Sequence, residues 1–348
     1  MTARIAISGF GRIGRAVLRR VAAEETHDLE VAAVNSNRLT PDLAAHLLKY
    51  DSVYGRFPGE VGHDAEHLVV DGRRIDVLAV PDPARCPWTD LGIDVVVEAT
   101  GNFTTREEAG AHLAAGARKV VVTAPTRGED LTIVMGVNDE LYDPLRHHLL
   151  SASSCTTNCL SPLLAVLDAR FGIQSGLMTT IHSYTRDQEL LDGTHSDPRR
   201  ARAANLNMCP TTTGSAKAVD LIFPRLAGRI VGLAIRVPLP DVSLVDLSVV
   251  LQREANVASI NAAFRAALFG RLKGVLDITD EPLVSSDFHG DQHSAIVDLA
   301  STREAPDGHF KVLAWYDNEA GYAARVVDLV DLVASRMGVR RAQPVAVT

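Results

Sequence analysis

Disulfide-forming cysteine, long apolar runs and excess basic charge are all scarce in this chain. Its four cysteines, Cys86, Cys155, Cys159 and Cys209, are too few and too scattered for a disulfide framework. No apolar run approaches the roughly 18 residues that a membrane-spanning helix needs. The net charge is −8, and the basic residues are dispersed apart from RRARA at 199–203, so nucleic acid is not an expected partner. Because the chain also begins directly with a strand pattern and lacks a secretory signal, we expect a cytoplasmic protein without membrane partners.

A glycine motif near the N-terminus predicts a dinucleotide site. The sequence GFGRIG at 9–14 directly follows the strand pattern RIAIS and precedes a helix predicted from about Ile13 to Ala23. Gly9 permits a tight turn, Gly11 lets a pyrophosphate approach the backbone, and Gly14 allows close packing of the helix on the strand. The alternative is an ordinary glycine turn, which the strand–turn–helix context disfavours.

A carboxylate is missing where such a site commonly has one. The second strand, LEVAAVN at 29–35, runs into Asn35, Ser36, Asn37 and Arg38 without an Asp or Glu to accept a hydrogen bond from the ribose 2′-hydroxyl. The missing carboxylate indicates either a broken cofactor site or a site for a different cofactor.

The pattern of strands and helices predicts two domains of different architecture. Up to about residue 150, short apolar strands alternate with helical patterns, as in a doubly wound, mostly parallel sheet, and a hairpin turns at Asp71-Gly72. Beyond it, one helix is followed by long strands, which predicts an α+β domain with a largely antiparallel sheet. We therefore expect a Rossmann-type dinucleotide-binding domain at 1–154, a catalytic domain at 155–320, and a C-terminal helix at 321–340 that packs back on the first domain.

The run SASSCTTNC holds a candidate nucleophile. Hydroxyl-bearing residues precede an apolar helical pattern, so Cys155 falls at a helix N-terminus, where the dipole and free N–H groups favour the thiolate. The same N–H groups can stabilise an oxyanion. The alternative for Cys155 is a buried structural thiol, and Cys159, one turn further on, fits a small core residue better.

Candidate partners of the thiol stand on later strands. His182 in MTTIHSYT could act as a base, although a single histidine in a strand is more often structural. PTTTG at 210–214, RRAR at 199–202 and Arg236 offer hydroxyl, N–H and guanidinium donors suited to a phosphorylated substrate. Taken separately, RRAR is more often a solvated surface face, and Arg236 is more often an edge-strand charge, than a functional group. No metal site is predicted.

Taken together, these motifs resemble phosphorylating glyceraldehyde-3-phosphate dehydrogenase. The resemblance runs essentially end to end, through GFGRIGR, HLLKYDS, SCTTNCLSP, RRARAA, PTTTG, RVPLP and WYDNE. It implies that Cys155 attacks an aldehyde to form a hemithioacetal and that His182 is the base. Hydride would then pass to nicotinamide C4, and inorganic phosphate would cleave the thioester to give 1,3-bisphosphoglycerate.

The resemblance also implies the residues of each subsite. Thr185 and Arg236 match the site for the substrate's C3 phosphate, Ser154, Thr156, Thr213 and Gly214 match the attacking-phosphate site, and Arg200 lies between the two. The cofactor contacts expected from the motifs and the resemblance together are Gly9, Phe10, Gly11, Arg12, Ile13, Asn35, Ser36, Asn37, Arg38, Thr100, Gly101, Thr123, Thr194, Asn318 and Tyr322. Members are usually homotetramers.

Two departures from common family members bear on the missing carboxylate. NAD-using members commonly carry Asp at the position of Ser36, and a bulky residue followed by Pro at the positions of Gly193 and Thr194. A neutral serine removes repulsion of a 2′-phosphate, and Arg38 could pair with one. Pro81 points the other way, because NADP-using members carry an Arg there. We expect NADP to be accepted well and NAD to remain usable.

Two alternatives stay open at this level. Erythrose-4-phosphate dehydrogenase shares SCTTNC and resembles the chain at HSAIVD, although it usually departs at the stretches around Thr185 and Thr213. A scaffold or regulatory protein that retains the fold is the non-enzymatic alternative, which the retained catalytic motifs disfavour. The sequence leaves the glycolytic or gluconeogenic direction open.

Overall fold

The computed structural model describes residues 2–23 and 28–338, and the chain divides into two compact units. Among the described residues, those up to Ile133, those of Glu140–Ala152 and those from Val326 onward form the first unit, and those of Val134–Asp139 and Ser153–Arg325 form the second. None of the helices in this described part is long and apolar enough to cross a membrane.

The first unit is built around one twisted sheet. Its elements are β1 Ala3–Ser8, α1 Arg12–Ala23, β2 Leu29–Asn35, α2 Pro41–Lys49, β3 Tyr50–Asp51, β4 Gly55–Arg56, β5 Val61–His63, β6 His67–Val70, β7 Arg73–Leu78, β8 Val95–Glu98, α3 Arg106–Ala114, β9 Lys119–Val122, β10 Leu131–Thr132 and β11 Leu149–Ser151. The sheet runs β10-β11-β9-β8-β1-β2-β7-β6-β5, and β3 pairs with β4 separately. From β10 to β7 the neighbours are parallel, and β5, β6 and β7 are antiparallel. This confirms the predicted doubly wound, mostly parallel sheet.

Local sequence signals in this unit act as expected. The β6–β7 hairpin turns at Asp71 and Gly72, which both have positive φ, as a two-residue hairpin turn requires. At the start of α3, the Thr105 side chain accepts the Glu108 N–H and the Glu108 carboxylate accepts the Thr105 N–H, which is a capping box. Apolar strands such as β8 are buried along their whole length because both faces of the sheet are covered.

The second unit contains a seven-stranded sheet among its described residues. Its elements are α4 Cys155–Phe171, β12 Ile173–Ser183, β13 Cys209–Thr211, α5 Ser215–Ile222, β14 Ile230–Val237, β15 Ser243–Leu251, α6 Val257–Ala267, β16 Leu276–Thr279, β17 Ala295–Ala305 and β18 His309–Tyr316. The last helix, α7 Ala320–Arg336, begins in this unit and belongs to the first unit from Val326 onward. The order is β13-β14-β12-β15-β18-β17-β16, antiparallel except for the β12–β14 and β16–β17 pairs. The predicted α+β class with a largely antiparallel sheet is confirmed.

Helices of the second unit cover one face of its sheet. β15 alternates buried and part-buried residues along its length, and α4 lies against β12, β15 and β17. The sequence predicted one helix, at the thiol motif, before the C-terminal helix. The structure contains two more helices in this region, α5 and α6. Both are short, and α5 begins after Gly214 without a side-chain cap, so its start carries little local signal. Of the helix predicted at 321–340, residues 339 and 340 lie outside the described residues.

Candidate active site

Cys155 is the first residue of α4, as its sequence context predicts. The N-cap Ser154 hydroxyl accepts the Thr157 N–H at 3.1 Å, which fixes the start of the helix just before the thiol. The Cys155 Sγ lies 3.4 Å from Nε2 of His182, which stands near the end of β12. The fold thus brings together the two residues that the sequence offered as nucleophile and base.

Two groups contact Nδ1 of His182 and favour opposite tautomers. The carbonyl oxygen of Ser183, which can only accept, lies 2.7 Å away, and Nη1 of Arg236, which can only donate, lies 3.2 Å away. The shorter contact favours the hydrogen on Nδ1. The lone pair of Nε2 therefore faces the Cys155 thiol. This is the arrangement that lets an imidazole accept a thiol proton.

Burial sets the charge state of this pair. Burial, and secondly the Arg236 charge, lower the pKa of His182 from 6.5 to about 3. Burial also raises the pKa of the Cys155 thiol, and Arg236 and hydrogen bonds with Thr156 oppose that rise only in part. Burial therefore opposes the effect of the helix N-terminus, which favours the thiolate.

Arg236 and Thr185 form a donor group beside the histidine. Nη1 of Arg236 donates to Thr185 Oγ1 at 3.1 Å and to the Ser183 carbonyl at 3.2 Å. The Arg236 Nε is buried and has no hydrogen-bond partner among the described residues. A buried guanidinium N–H without a partner is costly, so this position fits an anionic ligand.

A second group of hydroxyls surrounds the start of α5. Ser215 Oγ lies 3.3 Å from Ser154 Oγ and 3.0 Å from Thr213 Oγ1, so it links the start of α4 to the loop before α5. Gly214 is the N-cap of α5, with open space around its Cα. Two helix N-termini with converging hydroxyls suit a second anion.

Thr156 and Arg200 have other partners in this structure. The Thr156 hydroxyl is buried and lies 2.9 Å from the Tyr316 hydroxyl, so its side chain points into the core. Arg200 donates to the Asp187 carboxylate, to Thr211 Oγ1 at 3.0 Å and to the Thr212 carbonyl at 3.2 Å. Arg200 thus lies beside the Thr213 loop, where Asp187 competes for its guanidinium.

Asn318 is oriented by two serines. Its Oδ1 accepts hydrogen bonds from the hydroxyls of Ser183 and Ser243, both at 2.8 Å. The amide NH₂ is thereby left as the donating end of Asn318. Nearby in sequence, the buried Tyr322 donates its hydroxyl to the Ser153 carbonyl at 3.0 Å. Tyr322 therefore supports the loop before Cys155, where Ser153 has φ +58.

In the first unit, the glycine turn has the shape of a dinucleotide cradle. A Cβ on Gly9 would lie 2.4 Å from the Ala99 carbonyl carbon, and one on Gly14 would lie 1.9 Å from the Gly9 oxygen. Gly11 has no atom within 4 Å of the same position, so the backbone there is open to a ligand. These residues fit the pyrophosphate of a dinucleotide.

The other predicted residues of this turn and of the β2 loop divide into buried and exposed sets. Phe10 is buried, Ile13 is part-buried, and Arg12 donates to the Asp51 carboxylate. The Asn35 amide pairs with both the N–H and the carbonyl of Val80, at 2.9 and 3.0 Å, so it acts as a strut.

Ser36, Asn37 and Arg38 project from the carboxyl end of β2. Ser36 is part-buried, whereas Asn37 and Arg38 are exposed. Arg38 has φ +60, and its guanidinium makes no ion pair within the described chain. This leaves Arg38 available to a phosphate.

The remaining predicted cofactor residues lie in two places. Thr100 and Thr123 both hydrogen-bond to Glu98, and Gly101 follows with φ +73. Thr194 is exposed on the segment between β12 and β13, where it lines a shallow concavity with Gly193.

Sequence reasoning missed the residues that hold the others in place. These are Glu98, Thr157, Ser183, Ser215 and Ser243, which orient Thr100, Ser154, Asn318 and Thr213. A signal was present for two of them, since Glu98 interrupts the apolar run VVVEAT and Ser183 follows His182 directly. Thr157 and Ser215 lie three and two positions from Ser154 and Thr213, so their local spacing could have indicated them, whereas Ser243 is 75 positions from Asn318 and gave no signal.

One cluster has the composition of a metal site. Ligand atoms of Asp241, His289 and Asp317 lie within 4.8 Å of one another. Burial and, secondly, the neighbouring Asp317 raise the pKa of Asp241 to about 8. The Asp317 carboxylate also accepts the N–H groups of Gly290, Glu319 and Ala320, which gives it a structural role at the start of α7.

Comparison with known proteins identifies the family. The profile described as the NAD binding domain of glyceraldehyde 3-phosphate dehydrogenase matches residues 3–106, and that of its C-terminal domain matches residues 154–318. The chain is 52% identical to glyceraldehyde-3-phosphate dehydrogenase of Geobacillus stearothermophilus over 336 residues, 97% of this chain and 99% of that protein. It is 54% identical to the Mycobacterium tuberculosis (strain CDC 1551 / Oshkosh) protein of that name over 338 residues, 96% and 99% of the two chains. The chain therefore belongs to the glyceraldehyde-3-phosphate dehydrogenase family.

Proposed function

We propose that this protein catalyses the reversible oxidative phosphorylation of glyceraldehyde 3-phosphate to 1,3-bisphosphoglycerate with NAD or NADP. The observation that carries the proposal is the 3.4 Å contact between the Cys155 thiol and the unprotonated Nε2 of His182. Residues 1–154 serve as the dinucleotide-binding domain and residues 155–320 as the catalytic domain. The C-terminal helix predicted at 321–340, of which α7 covers residues up to Arg336, completes the first domain.

Acyl transfer proceeds through the neutral thiol–imidazole pair. As Cys155 Sγ attacks the aldehyde carbon, His182 Nε2 takes the thiol proton and returns it to the carbonyl oxygen, which gives the hemithioacetal. His182 removes that hydroxyl proton again as the carbon is oxidised, which leaves a thioester on Cys155. A bound nicotinamide supplies the hydride acceptor for this oxidation.

Two anion sites position the substrates. Arg236, with its unpartnered Nε, and Thr185 bind the C3 phosphate. Ser154, Thr213 and Gly214 hold the attacking phosphate, and Thr156 contributes its backbone N–H at the start of α4, since its hydroxyl contacts Tyr316. The phosphate oxygen displaces the thiol, and His182 returns the proton to Cys155. Arg200 exchanges its Asp187 ion pair for contact with phosphate. Fixing both reactants in this way converts a bimolecular encounter into a unimolecular step.

Each set of predicted cofactor residues has its own role in this proposal. The glycine turn binds the pyrophosphate through backbone N–H groups, as supported by the space above Gly11. Thr100, Gly101, Thr123 and Thr194 line the cofactor. The Asn318 NH₂ donates to the nicotinamide carboxamide, and Tyr322 supports the loop beside it.

We propose further that NADP is accepted well. Ser36 is neutral and part-buried, and the exposed Arg38 has no competing ion pair in the described chain, so both suit a 2′-phosphate. Gly193 and Thr194 agree with this preference and Pro81 does not. Ser36→Asp should shift the ratio of kcat/KM for NADP to that for NAD about tenfold or more toward NAD, because the carboxylate repels the phosphate.

A steady-state assay tests the proposed function directly. Glyceraldehyde 3-phosphate and erythrose 4-phosphate are each supplied with NAD and NADP, with and without phosphate. We expect phosphate-dependent turnover of glyceraldehyde 3-phosphate. Faster turnover of erythrose 4-phosphate would contradict the substrate assignment, and a hundredfold preference for NAD would contradict the cofactor assignment.

Assembly as a homotetramer is part of the proposal. Leu177 on β12 and its parallel neighbours Val231 and Leu233 on β14 are exposed apolar residues on one sheet face. An apolar sheet face of this kind is typical of a subunit interface. Sedimentation equilibrium should give four times the chain mass of 37.4 kDa, and a monomer would contradict the proposal.

A further inference from the structure

Glu98 is a fully buried carboxylate at the end of β8 that holds two threonines proposed to line the cofactor. Its Oε1 accepts the Thr100 N–H at 2.8 Å and also the Thr100 hydroxyl. Its backbone carbonyl accepts the N–H and the hydroxyl of Thr123, at 2.9 and 3.1 Å. The four donors of these two threonines therefore converge on one residue that is 1% exposed.

The second carboxylate oxygen of Glu98 ends a chain of buried donors. Trp88 Nε1 donates to His112 Nδ1 at 3.0 Å, and His112 Nε2 lies 3.0 Å from Glu98 Oε2. An indole N–H can only donate, so it keeps Nδ1 unprotonated and places the ring hydrogen on Nε2, which then donates to Glu98. Trp88 and His112 are both completely buried, so water cannot replace a hydrogen bond that is lost from this chain of donors.

The Thr100 peptide that Glu98 fixes forms one wall of the glycine turn. Ala99 N–H donates to the Ser8 carbonyl at 2.6 Å, and a Cβ on Gly9 would lie 2.5 Å from the Thr100 nitrogen. Because the two backbones are this close, movement of Thr100 changes the space at Gly9. By holding Thr100, the Glu98 carboxylate thus influences the position of the backbone at Gly9, where the pyrophosphate would bind.

We propose that Glu98 is a positioning residue for the dinucleotide, and that the Trp88–His112 donor chain keeps its carboxylate in place. A buried negative charge near a pyrophosphate site opposes anion binding by itself, so its contribution is the ordering of Thr100 and the glycine turn. The inference rests on the dinucleotide site proposed above and adds residues that do not touch the cofactor.

The order of donors makes a carboxamide a poor substitute for the carboxylate. In Glu98→Gln, the amide oxygen can serve Thr100, but the NH₂ then faces the Nε2–H of His112. Moving the His112 hydrogen to Nδ1 relieves that clash and creates another with the Trp88 N–H. Trp88→Phe removes the second clash, so the double variant should accommodate glutamine better than the single one.

Calorimetric titration of the full-length protein with NADP and with NAD tests this. We expect Glu98→Gln to raise the Kd about tenfold, as the loss of charge-assisted hydrogen bonds to Thr100 implies. Trp88→Phe alone removes the donor that orders His112, so it should raise the Kd, but by less than Glu98→Gln does, and the double variant should recover at least half of the logarithmic loss of Glu98→Gln. Kinetically, the cofactor KM should rise while kcat at saturating cofactor changes less than about threefold.

Val96→Ala, which shortens another fully buried side chain of β8, is the matched control for destabilisation. At a temperature where all variants are folded, its Kd should stay within about twofold of the parent. An unchanged Kd in Glu98→Gln, or an equal loss in Val96→Ala at equal loss of Tm, would overturn the positioning role. Absence of recovery in the double variant would overturn the donor chain.

Two further outcomes are decisive. If Glu98→Gln does not fold, Glu98→Asp replaces it, since its shorter carboxylate cannot reach both Thr100 and His112. Weaker cofactor binding in that variant supports the proposal, and parental binding overturns it. If the parent itself binds neither NAD nor NADP, the proposed function fails together with the positioning role, whereas a binding parent separates the two.

Discussion

Two buried histidines, one in each unit, hold their ring proton on opposite nitrogens. His182 gives its Nδ1 hydrogen to the Ser183 carbonyl and turns an unprotonated Nε2 toward the Cys155 thiol. His112 accepts the Trp88 N–H at Nδ1 and gives its Nε2 hydrogen to Glu98. The same side chain thus presents a hydrogen-bond acceptor to a thiol in one network and a donor to a carboxylate in the other.

The group on Nδ1 makes this difference. A carbonyl can only accept and an indole N–H can only donate, so each dictates the tautomer before Nε2 meets its own partner. Burial and, secondly, the charge of Arg236 disfavour a doubly protonated His182 ring, and Nη1 of Arg236, 3.2 Å from Nδ1, competes with the Ser183 carbonyl for that nitrogen. The role of a buried histidine therefore depends on the hydrogen-bond partners of both ring nitrogens. The following substitutions test this conclusion.

Removal of the thiol should have the largest effect. Cys155→Ser leaves a hydroxyl that His182 deprotonates far less readily, so kcat for glyceraldehyde 3-phosphate oxidation should fall by about 10⁴-fold or more. Cys159→Ser, one turn further along α4, is the control and should keep kcat within about threefold. Comparable losses in both variants would contradict the assignment of Cys155.

Substitution of the two histidines should affect different kinetic constants: kcat for His182 and the cofactor KM for His112. His182→Asn removes the base, so kcat should fall by about 10² to 10⁴-fold. His112→Asn breaks only the donor chain to Glu98, so its effect should appear in the cofactor KM. A large loss of kcat at saturating cofactor in His112→Asn would contradict the purely positioning role of His112.

Loss of the guanidinium beside His182 should weaken the phosphorylated aldehyde selectively. Arg236→Leu should raise KM for glyceraldehyde 3-phosphate by about 10²-fold, because the C3 phosphate loses a charge-assisted donor. Unphosphorylated glyceraldehyde should be affected much less. The exposed Arg229 provides the control, since Arg229→Leu removes an equal charge outside the site.

The smallest effect should be on acid stability. The pKa of His182 is lowered from 6.5 to about 3, so between these pH values the unfolded chain binds a proton that the folded protein does not. The free energy of unfolding should therefore fall on acidification below pH 6.5, by up to about 1.4 kcal/mol per pH unit. Urea unfolding should show a shallower dependence in His182→Asn, and identical slopes would contradict the neutral buried state.

Much of this architecture could be predicted because its signals are local. The glycine spacing at 9–14, the Asp71-Gly72 turn and the cap before Cys155 each depend on residues a few positions apart. The sequence predicted Asn35 as a cofactor contact. It gave no sign that the Asn35 amide binds the backbone of Val80, because Val80 is 45 positions away. Short helices such as α5 also escaped, since tertiary packing decides whether eight residues form a helix.

By itself, the sequence determined the fold class and the family, and it offered Cys155 and His182 as candidate nucleophile and base. Tertiary structure alone decided that Cys155 is buried, which raises the pKa of its thiol against the effect of the helix N-terminus that the sequence shows. It also decided that Glu98 holds Thr100 and that Asn318 is turned by two serines. The physical reason is that propensity and turn chemistry act over a few residues, whereas desolvation and hydrogen-bond direction depend on groups that only the folded chain brings together.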